Sequence, residues 1–336
     1  MRSSHSSRVF VLGLDGVPHS FLVKTIAEGK LPRLGEIFRR GALTRMTSTL
    51  PYVSSVAWAS FMTGKNPGAH GIYGFIDRRP DSYKTFIPTT RHLRSETLWE
   101  ILSHHSRRVV VMNVPLSYPP RPVNGILVGC FLSPRLEKAT YPPEVADRLA
   151  AMGYRIDADA RLAHQDLDRF LEDLHHVLAR RIEAIRTFIA EEPWDFFMGH
   201  IMETDRLHHF FWRQMEEGAE RHSEAFYAFY QELDRLIGEI WEELEGQTTR
   251  ILLSDHGFCS VKKEVYLNAW LKAEGWLAFD RDPPESLEDL SARTTAYSLE
   301  PGRLFLHVEG REPRGWVRQA RSTRESVRNW RRPSSS

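Results

Sequence analysis

The sequence predicts an α/β protein with a mainly parallel central sheet and helices on both of its faces. Two observations carry that prediction. Short, almost wholly apolar runs recur along the chain, "VFVLGLD", "RVVVMNVP", "GILVGCF", "WDFFMGHIM" and "RILLSDHG", and apolar residues at successive positions suit strands buried on both faces. Between several of these runs lie segments whose apolar residues recur at three and four, as in "FLEDLHHVLARRIEAIRTFI", the spacing of a helix with one buried stripe. Strands alternating with helices build parallel sheets, because a parallel connection must cross back over a sheet face.

In chain order, the first strand ends at Asp15, just before the glycine of a turn in "VFVLGLDGVPHS". A carboxylate at a strand mouth has to stay solvated, accept backbone hydrogen bonds or meet a cation. Helices are expected over 21–27, 95–104, 166–190 and 221–244. In "TLPYVSSVAWASFMTGKNPGAHGIYGF" an apparent strand leads into a short helix beginning near Ser54, where free backbone N–H groups suit a phosphoryl group. Ser54 can cap that helix or, beside a cation, act as a nucleophile; Ser55 is the adjacent alternative. Residues 77–92 and 133–166 read as small insertions that form a cap or a surface excursion. The domain is expected to run over 1–310, followed by a basic Arg/Ser-rich tail over 311–336 that is poor in aliphatic residues and poorly packed.

Composition narrows the function. The chain has 336 residues, 41% of them hydrophobic, enough for a sizeable core. Lys+Arg 45 against Asp+Glu 44 leaves a formal charge of +1, so no general field draws it to nucleic acid or an acidic membrane. Two cysteines, far apart in sequence, make no disulfide framework. With no apolar leader before the first strand and no run of about 18 apolar residues, the expectation is a cytoplasmic protein without membrane or specific nucleic-acid partners. Nothing in the sequence points to an oligomeric state.

Three acids stand at strand ends: Asp15, Asp205 and Asp255. In a parallel sheet they converge on one rim. His256 follows Asp255 directly, and Asp205 and His209 are spaced i, i+4, on one side of a helical turn. Oxygen and imidazole ligands without thiolate suit zinc, manganese or iron. Any one of these fragments alone is more often an ion pair or a cap than a metal site.

Together, "GLDG", "PYVSSVAWASFMTGKNPGAHGIYGF", "ETDRLHHFFW" and "LSDHGF" resemble the alkaline phosphatase superfamily, in its type I phosphodiesterase and nucleotide pyrophosphatase branch. The resemblance implies an alkaline phosphatase-like fold and two divalent metal ions, zinc or manganese. One ion would be held by Asp15, Asp255 and His256, the other by Asp205 and His209. It implies that Ser54 attacks phosphorus and that water then hydrolyses the phosphoserine of a small phosphate-ester substrate, a nucleotide among the candidates, cleaving a phosphodiester or pyrophosphate bond. A phosphomutase that returns the group to another hydroxyl is the alternative; sulfatase chemistry is disfavoured because no cysteine stands in the nucleophile segment.

His208 matches no ligand position of that pattern. Trp58, Tyr73, Phe75 and Phe210 are candidates for stacking a base, and Lys65 and His70 for contacting phosphate, each against an ordinary core or loop role. Relatives complete the second metal site with a histidine far downstream, and the only histidine after His256 is His307 in "GRLFLHVEGREPRG", which reads as structural. The expectation is therefore a C-terminally shortened member, from an altered reading frame or incomplete gene model, with weakened or absent activity or a role in binding alone.

Overall fold

The computed structural model describes residues 8–79, 81–244, 246, 248–300 and 302–318. It divides into two compact units, Met1–Ile72 with Thr89–Ser260 and Tyr73–Pro88 with Val261–Ser336. The domain expected over 1–310 is thus split between them.

The first unit is built on a six-stranded sheet in the order Thr140–Tyr141, Gly125–Val128, Val109–Met112, Phe196–Ile201, Arg8–Leu14, Thr248–Leu253. All neighbours pair in parallel except Thr140–Tyr141, which runs antiparallel at one edge. Each of the five apolar runs supplies one parallel strand. The doubly buried reading is visible in the first of them. Phe10, Leu12 and Leu14 enter one apolar layer, where they meet Phe170, Phe188 and Phe229 of the long helices Leu167–Glu191 and Glu220–Glu243. Val11 enters the opposite layer, with Trp58 and Met62 of the helix Ser54–Thr63.

Some of the helices begin on side-chain caps, whereas the Ser54–Thr63 helix has none. Asp166 accepts from the N–H groups of Asp168 and Arg169 to start Leu167–Glu191, and Thr97 forms a capping box with Glu100 at Leu98–His104. The Ser54–Thr63 helix stops at Gly64, whose φ of +63° is the left-handed conformation glycine adopts without steric cost.

Three expectations change. Residues 42–53, the apparent strand before Ser54, have no regular structure; Met46 and Leu50 are exposed, so this segment lacks the buried face that would hold it in the sheet. Residues 133–166 do not stand off as a cap: they supply the antiparallel edge strand, and Val145, Leu149 and Tyr154 pack into the main core. Their mixed periodicity reflects a short strand followed by short helices. Of the tail expected over 311–336, the described part is partly packed, with Glu312 and Val317 buried; residues 319–336 of it lie outside the described residues.

The second unit holds two antiparallel pairs, Asp77–Arg78 with Thr85–Phe86 and Ala296–Ser298 with Leu304–Leu306. Its small core joins Tyr83, Leu271, Leu277, Leu290 and Tyr297. Most of the 77–92 insertion belongs here. His307 is fully buried in this unit; Nδ1 lies 2.9 Å from the Thr294 carbonyl and Nε2 2.6 Å from the Tyr83 hydroxyl. Nδ1–H donates to the carbonyl, which leaves Nε2 to accept from the tyrosine, so both ring nitrogens are engaged.

No helix among the described residues is long and apolar enough to cross a membrane. Cys130 is buried, Cys259 is exposed, and neither is in a disulfide.

Candidate active site

The carboxyl ends of three adjacent parallel strands meet in the first unit. Arg8–Leu14 delivers Asp15, Phe196–Ile201 leads into the helix Glu203–Glu217 with Asp205 and His209, and Thr248–Leu253 leads to Asp255 and His256. Ligand sites form at such ends because the strands stop there and the loops diverge. Gly16 permits the convergence. Its φ is +69°, and a Cβ there would lie 3.1 Å from Asp205 Oδ1 and 3.2 Å from His256 Cε1.

Ser54 begins the Ser54–Thr63 helix. Its Oγ lies 3.1 Å from Asp15 Oδ1 and 3.1 Å from His256 Nε2. His256 Nδ1 is 2.8 Å from the Gly257 carbonyl, to which it can only donate. In the neutral ring this leaves the lone pair on Nε2, facing Ser54. Nε2 is also 3.5 Å from Asp15 Oδ1 and 3.5 Å from Asp255 Oδ2. Ser55, the adjacent alternative, is buried, and its hydroxyl has no hydrogen-bond partner.

Asp15 is 1% exposed. Its Oδ2 accepts from Trp58 Nε1 at 3.1 Å and lies 2.9 Å from His200 Nε2. Asp255 Oδ1 accepts from the Gly16 N–H at 3.1 Å, while Oδ2 is buried without a hydrogen-bond partner. Asp205 Oδ2 is 3.4 Å from His209 Nε2, and the His209 side chain is 56% exposed.

The electrostatics follow from this crowding. Burial, then the charge of Asp205, pushes the Asp15 carboxyl up to about 7. Burial, then the charge of Asp15, pushes Asp255 up to about 7. Burial acts in the same sense on Asp205, but its hydrogen bond with His209 and the positive charges of His209, His256 and Arg206 outweigh it and hold Asp205 below the usual range. Burial lowers His256, yet the charges of Asp255 and Asp15 raise it overall. Burial first, and then the charge of Arg181, bring His200 down to about 4 against the opposing charges of Asp255, Glu203 and Asp205.

These residues fit a divalent cation. Asp15, Asp205 and His256 offer ligating atoms that all lie within 4.8 Å of one another. Asp255 brings a buried, unpartnered oxygen to the same His256 nitrogen. Buried carboxylates that raise each other's pKa are what a cation relieves, and the donor set is oxygen and imidazole, as zinc and manganese accept. Only His209 stands at the rim, reaching the cluster through Asp205.

Other candidates fall into supporting positions. His208 is buried, with Nδ1 3.1 Å from the Gly16 carbonyl and Nε2 2.7 Å from the Tyr230 hydroxyl. His70 Nδ1 accepts from the Ile72 N–H at 3.1 Å and its Nε2 lies 3.0 Å from Ser60 Oγ, which makes it a loop brace. Phe210 packs against Phe170 and His164. Tyr73 and Phe75 belong to the second unit, and Lys65 is exposed.

Two features were not anticipated from the sequence. One is the pair of rings on Asp15 Oδ2. The other is a buried ion pair, with Arg181 Nε donating to Glu203 Oε1 at 2.7 Å and Nη1 to the Tyr154 hydroxyl at 2.7 Å. Glu203 opens the helix that carries Asp205 and His209. Arg181 had a readable signal: it falls on the apolar stripe of its helix, between Leu178 and Ile185.

A family model described as type I phosphodiesterase / nucleotide pyrophosphatase matches residues 9–330. No curated protein matches the chain. Phosphonoacetate hydrolase from Sinorhizobium meliloti 1021, solved with phosphonoformate, is similar with a TM-score of 0.60 at 20% identity, over 80% of this chain and 62% of that one. Murine ectonucleotide pyrophosphatase / phosphodiesterase 5 is similar with a TM-score of 0.50 at 16% identity, over 82% and 64%. An inactive variant of that murine protein, solved with AMP, gives a TM-score of 0.51 at 16% identity, over 83% and 64%. The chain spans less than two thirds of the length of each of these structures, and at such identities the likeness is one of fold. With the family model spanning nearly all of the described residues, the chain belongs to the type I phosphodiesterase / nucleotide pyrophosphatase family.

Proposed function

We propose that the chain is a metal-dependent phosphohydrolase that cleaves a phosphodiester or pyrophosphate bond of a small molecule, a nucleotide among the candidates, through a phosphoserine on Ser54. The observation that carries this reading is the position of Ser54 Oγ, 3.1 Å from Asp15 Oδ1 and 3.1 Å from His256 Nε2 at the start of a helix. Family membership supports phosphoester chemistry. The relatives solved with phosphonoformate and with AMP support a small phosphorus-containing ligand.

Asp15, Asp255 and His256 would hold one divalent ion, and Asp205 and His209 a second, zinc or manganese. Such ions, when bound, neutralise charge on the phosphoryl oxygens and favour the ionised form of the serine. The protein's own part begins with Ser54 Oγ, which the metal-free chain holds 3.1 Å from Asp15 Oδ1 and 3.1 Å from His256 Nε2; with those two atoms turned to a cation, the serine proton would pass to water. Ser54 Oγ attacks phosphorus, the bond from phosphorus to the leaving oxygen breaks, and that oxygen departs with the electron pair and takes up a proton. Water then attacks the same phosphorus from the opposite side, the P–Oγ bond breaks, and Ser54 recovers its proton. The N-terminal turn of the Ser54–Thr63 helix adds backbone N–H groups and the positive end of its dipole for the phosphoryl oxygens.

Hydrolysis of bis(p-nitrophenyl) phosphate and p-nitrophenyl phosphate by the full chain, with zinc or manganese and with Ser54→Ala as control, tests the reading. Turnover of the diester that falls at least about 100-fold in Ser54→Ala is the expected result. Equal turnover in the variant, or none in a folded, metal-supplemented wild type, would overturn it.

A further inference from the structure

The two rings on Asp15 suggest more than packing. Trp58 Nε1 and His200 Nε2 approach the same carboxylate oxygen, Oδ2, at 3.1 and 2.9 Å. Oδ1, by contrast, points to Ser54 Oγ at 3.1 Å and His256 Nε2 at 3.5 Å. The two rings brace each other edge to face, with centroids 4.8 Å apart and an interplanar angle of 87°. Both are fully buried. The indole nitrogen can only donate; the imidazole nitrogen, facing an ionised carboxylate, is best satisfied as a donor as well.

The backbone is shaped around this arrangement. His200 is the register partner of Gly13 on the neighbouring parallel strand. A Cβ at Gly13 would lie 2.4 Å from Trp58 Cη2 and 3.2 Å from His200 Cδ2, so the glycine two residues before Asp15 vacates the space the two rings occupy. A cation can approach a carboxylate through one oxygen or both, and two buried N–H donors on one oxygen occupy the lone pairs that two-oxygen ligation would need.

We propose that His200 and Trp58 are positioning residues that saturate Oδ2 of Asp15, restrict it to ligation through Oδ1, and aim that oxygen at the cation beside Ser54. The inference rests on the metal site proposed above. Neither ring touches the phosphoryl group; both act through Asp15.

Cobalt(II) titration of the full chain separates the possibilities, because the visible band of bound cobalt reports coordination number as well as affinity. The wild type binds cobalt with a band that sums its two proposed sites, of which only the one holding Asp15 depends on the two rings. His200→Phe, which keeps a ring and removes the donor, lowers cobalt affinity about 10–100-fold and weakens the band as the freed oxygen enters the coordination sphere. His200→Gln, which returns an N–H at similar reach, recovers most of the affinity and the band. Trp58→Phe removes the other donor and acts in the same direction as His200→Phe. Folding of each variant is checked by its far-ultraviolet circular dichroism and melting curve.

Wild-type affinity and band shape in folded His200→Phe and Trp58→Phe would overturn the proposal while leaving the metal site intact. A wild type that binds no cobalt would remove the metal site and this proposal together. If the variants do not fold, a crystal structure of the zinc-loaded wild type decides: Oδ2 still within about 3.2 Å of both nitrogens and away from the metal upholds it, and two-oxygen ligation refutes it.

Discussion

Replacing Asp255 with asparagine should stabilise the metal-free chain. In the folded state its carboxyl titrates at about 7 rather than 3.8, because it is buried and faces the charge of Asp15. A carboxyl whose folded pKa is raised binds its proton more tightly in the folded than in the unfolded chain. Stability from that proton is fully present below pH 3.8 and lost as pH rises through 7. The shift of 7 − 3.8, at about 1.4 kcal/mol per pKa unit, corresponds to about 4 kcal/mol at pH 8. Asparagine keeps an oxygen for the Gly16 N–H, now 3.1 Å from Oδ1. It also places an amide where the unpartnered oxygen was, 3.5 Å from His256 Nε2, which can accept. Differential scanning calorimetry in EDTA at pH 8 should show Asp255→Asn melting roughly 8 °C or more above the wild type, at 2–4 °C per kcal/mol. The difference should fade toward pH 4. Zinc narrows the gap from the other side, since a ligand at 100 times its Kd stabilises the wild type by about 2.7 kcal/mol and the variant by less. An Asp255→Asn chain that melts at or below the wild type in EDTA at pH 8 would refute the idea that uncompensated carboxylate charge burdens this site.

Three further outcomes follow from particular contacts. Gly16→Ala should destabilise by about 1–2 kcal/mol from its left-handed backbone alone and weaken cobalt binding, because the new Cβ meets Asp205 and His256; unchanged melting and titration curves would count against the close approach. Glu203→Ala should lower stability by about 3–5 kcal/mol by leaving Arg181 buried without its carboxylate, read in urea unfolding, and a loss under about 1 kcal/mol would show the pair to be solvated. His307→Ala should cost about 2 kcal/mol or more through its two lost partners and leave the cobalt titration unaltered; a large drop in cobalt affinity would make His307 a ligand after all.

The sheet was legible because its strands are buried on both faces, which writes itself into sequence as continuous apolar residues. Phe10 and Val11 face opposite layers, and no polar position interrupts them. The apparent strand before Ser54 was a misreading: residues 42–53 have no regular structure, and Leu43, Met46 and Leu50 lie exposed. The acids at strand ends were legible as convergent because parallel topology orders their ends on one rim. Their environment was not. The donors on Asp15 come from positions 43 and 185 residues away, and only Gly13 leaves a local trace of them. The short antiparallel pairs of the second unit escaped for another reason: two- and three-residue strands inside polar, turn-rich sequence carry too few residues for any period to show.

The hydrogen bond between Gly16 and Asp255 joins residues 239 apart, and that separation has a meaning in time. On a ribosome adding about 20 residues per second, Asp15 leaves the peptidyl-transfer centre roughly 12 s before Asp255. Throughout that interval the first strand has no neighbour on the Thr248–Leu253 side, and its terminal carboxylate has neither Gly16 anchored to Asp255 nor His256 beside it. The cluster thus cannot be complete before the strand at that edge of the sheet has been made, and any cation the site takes up must wait for it.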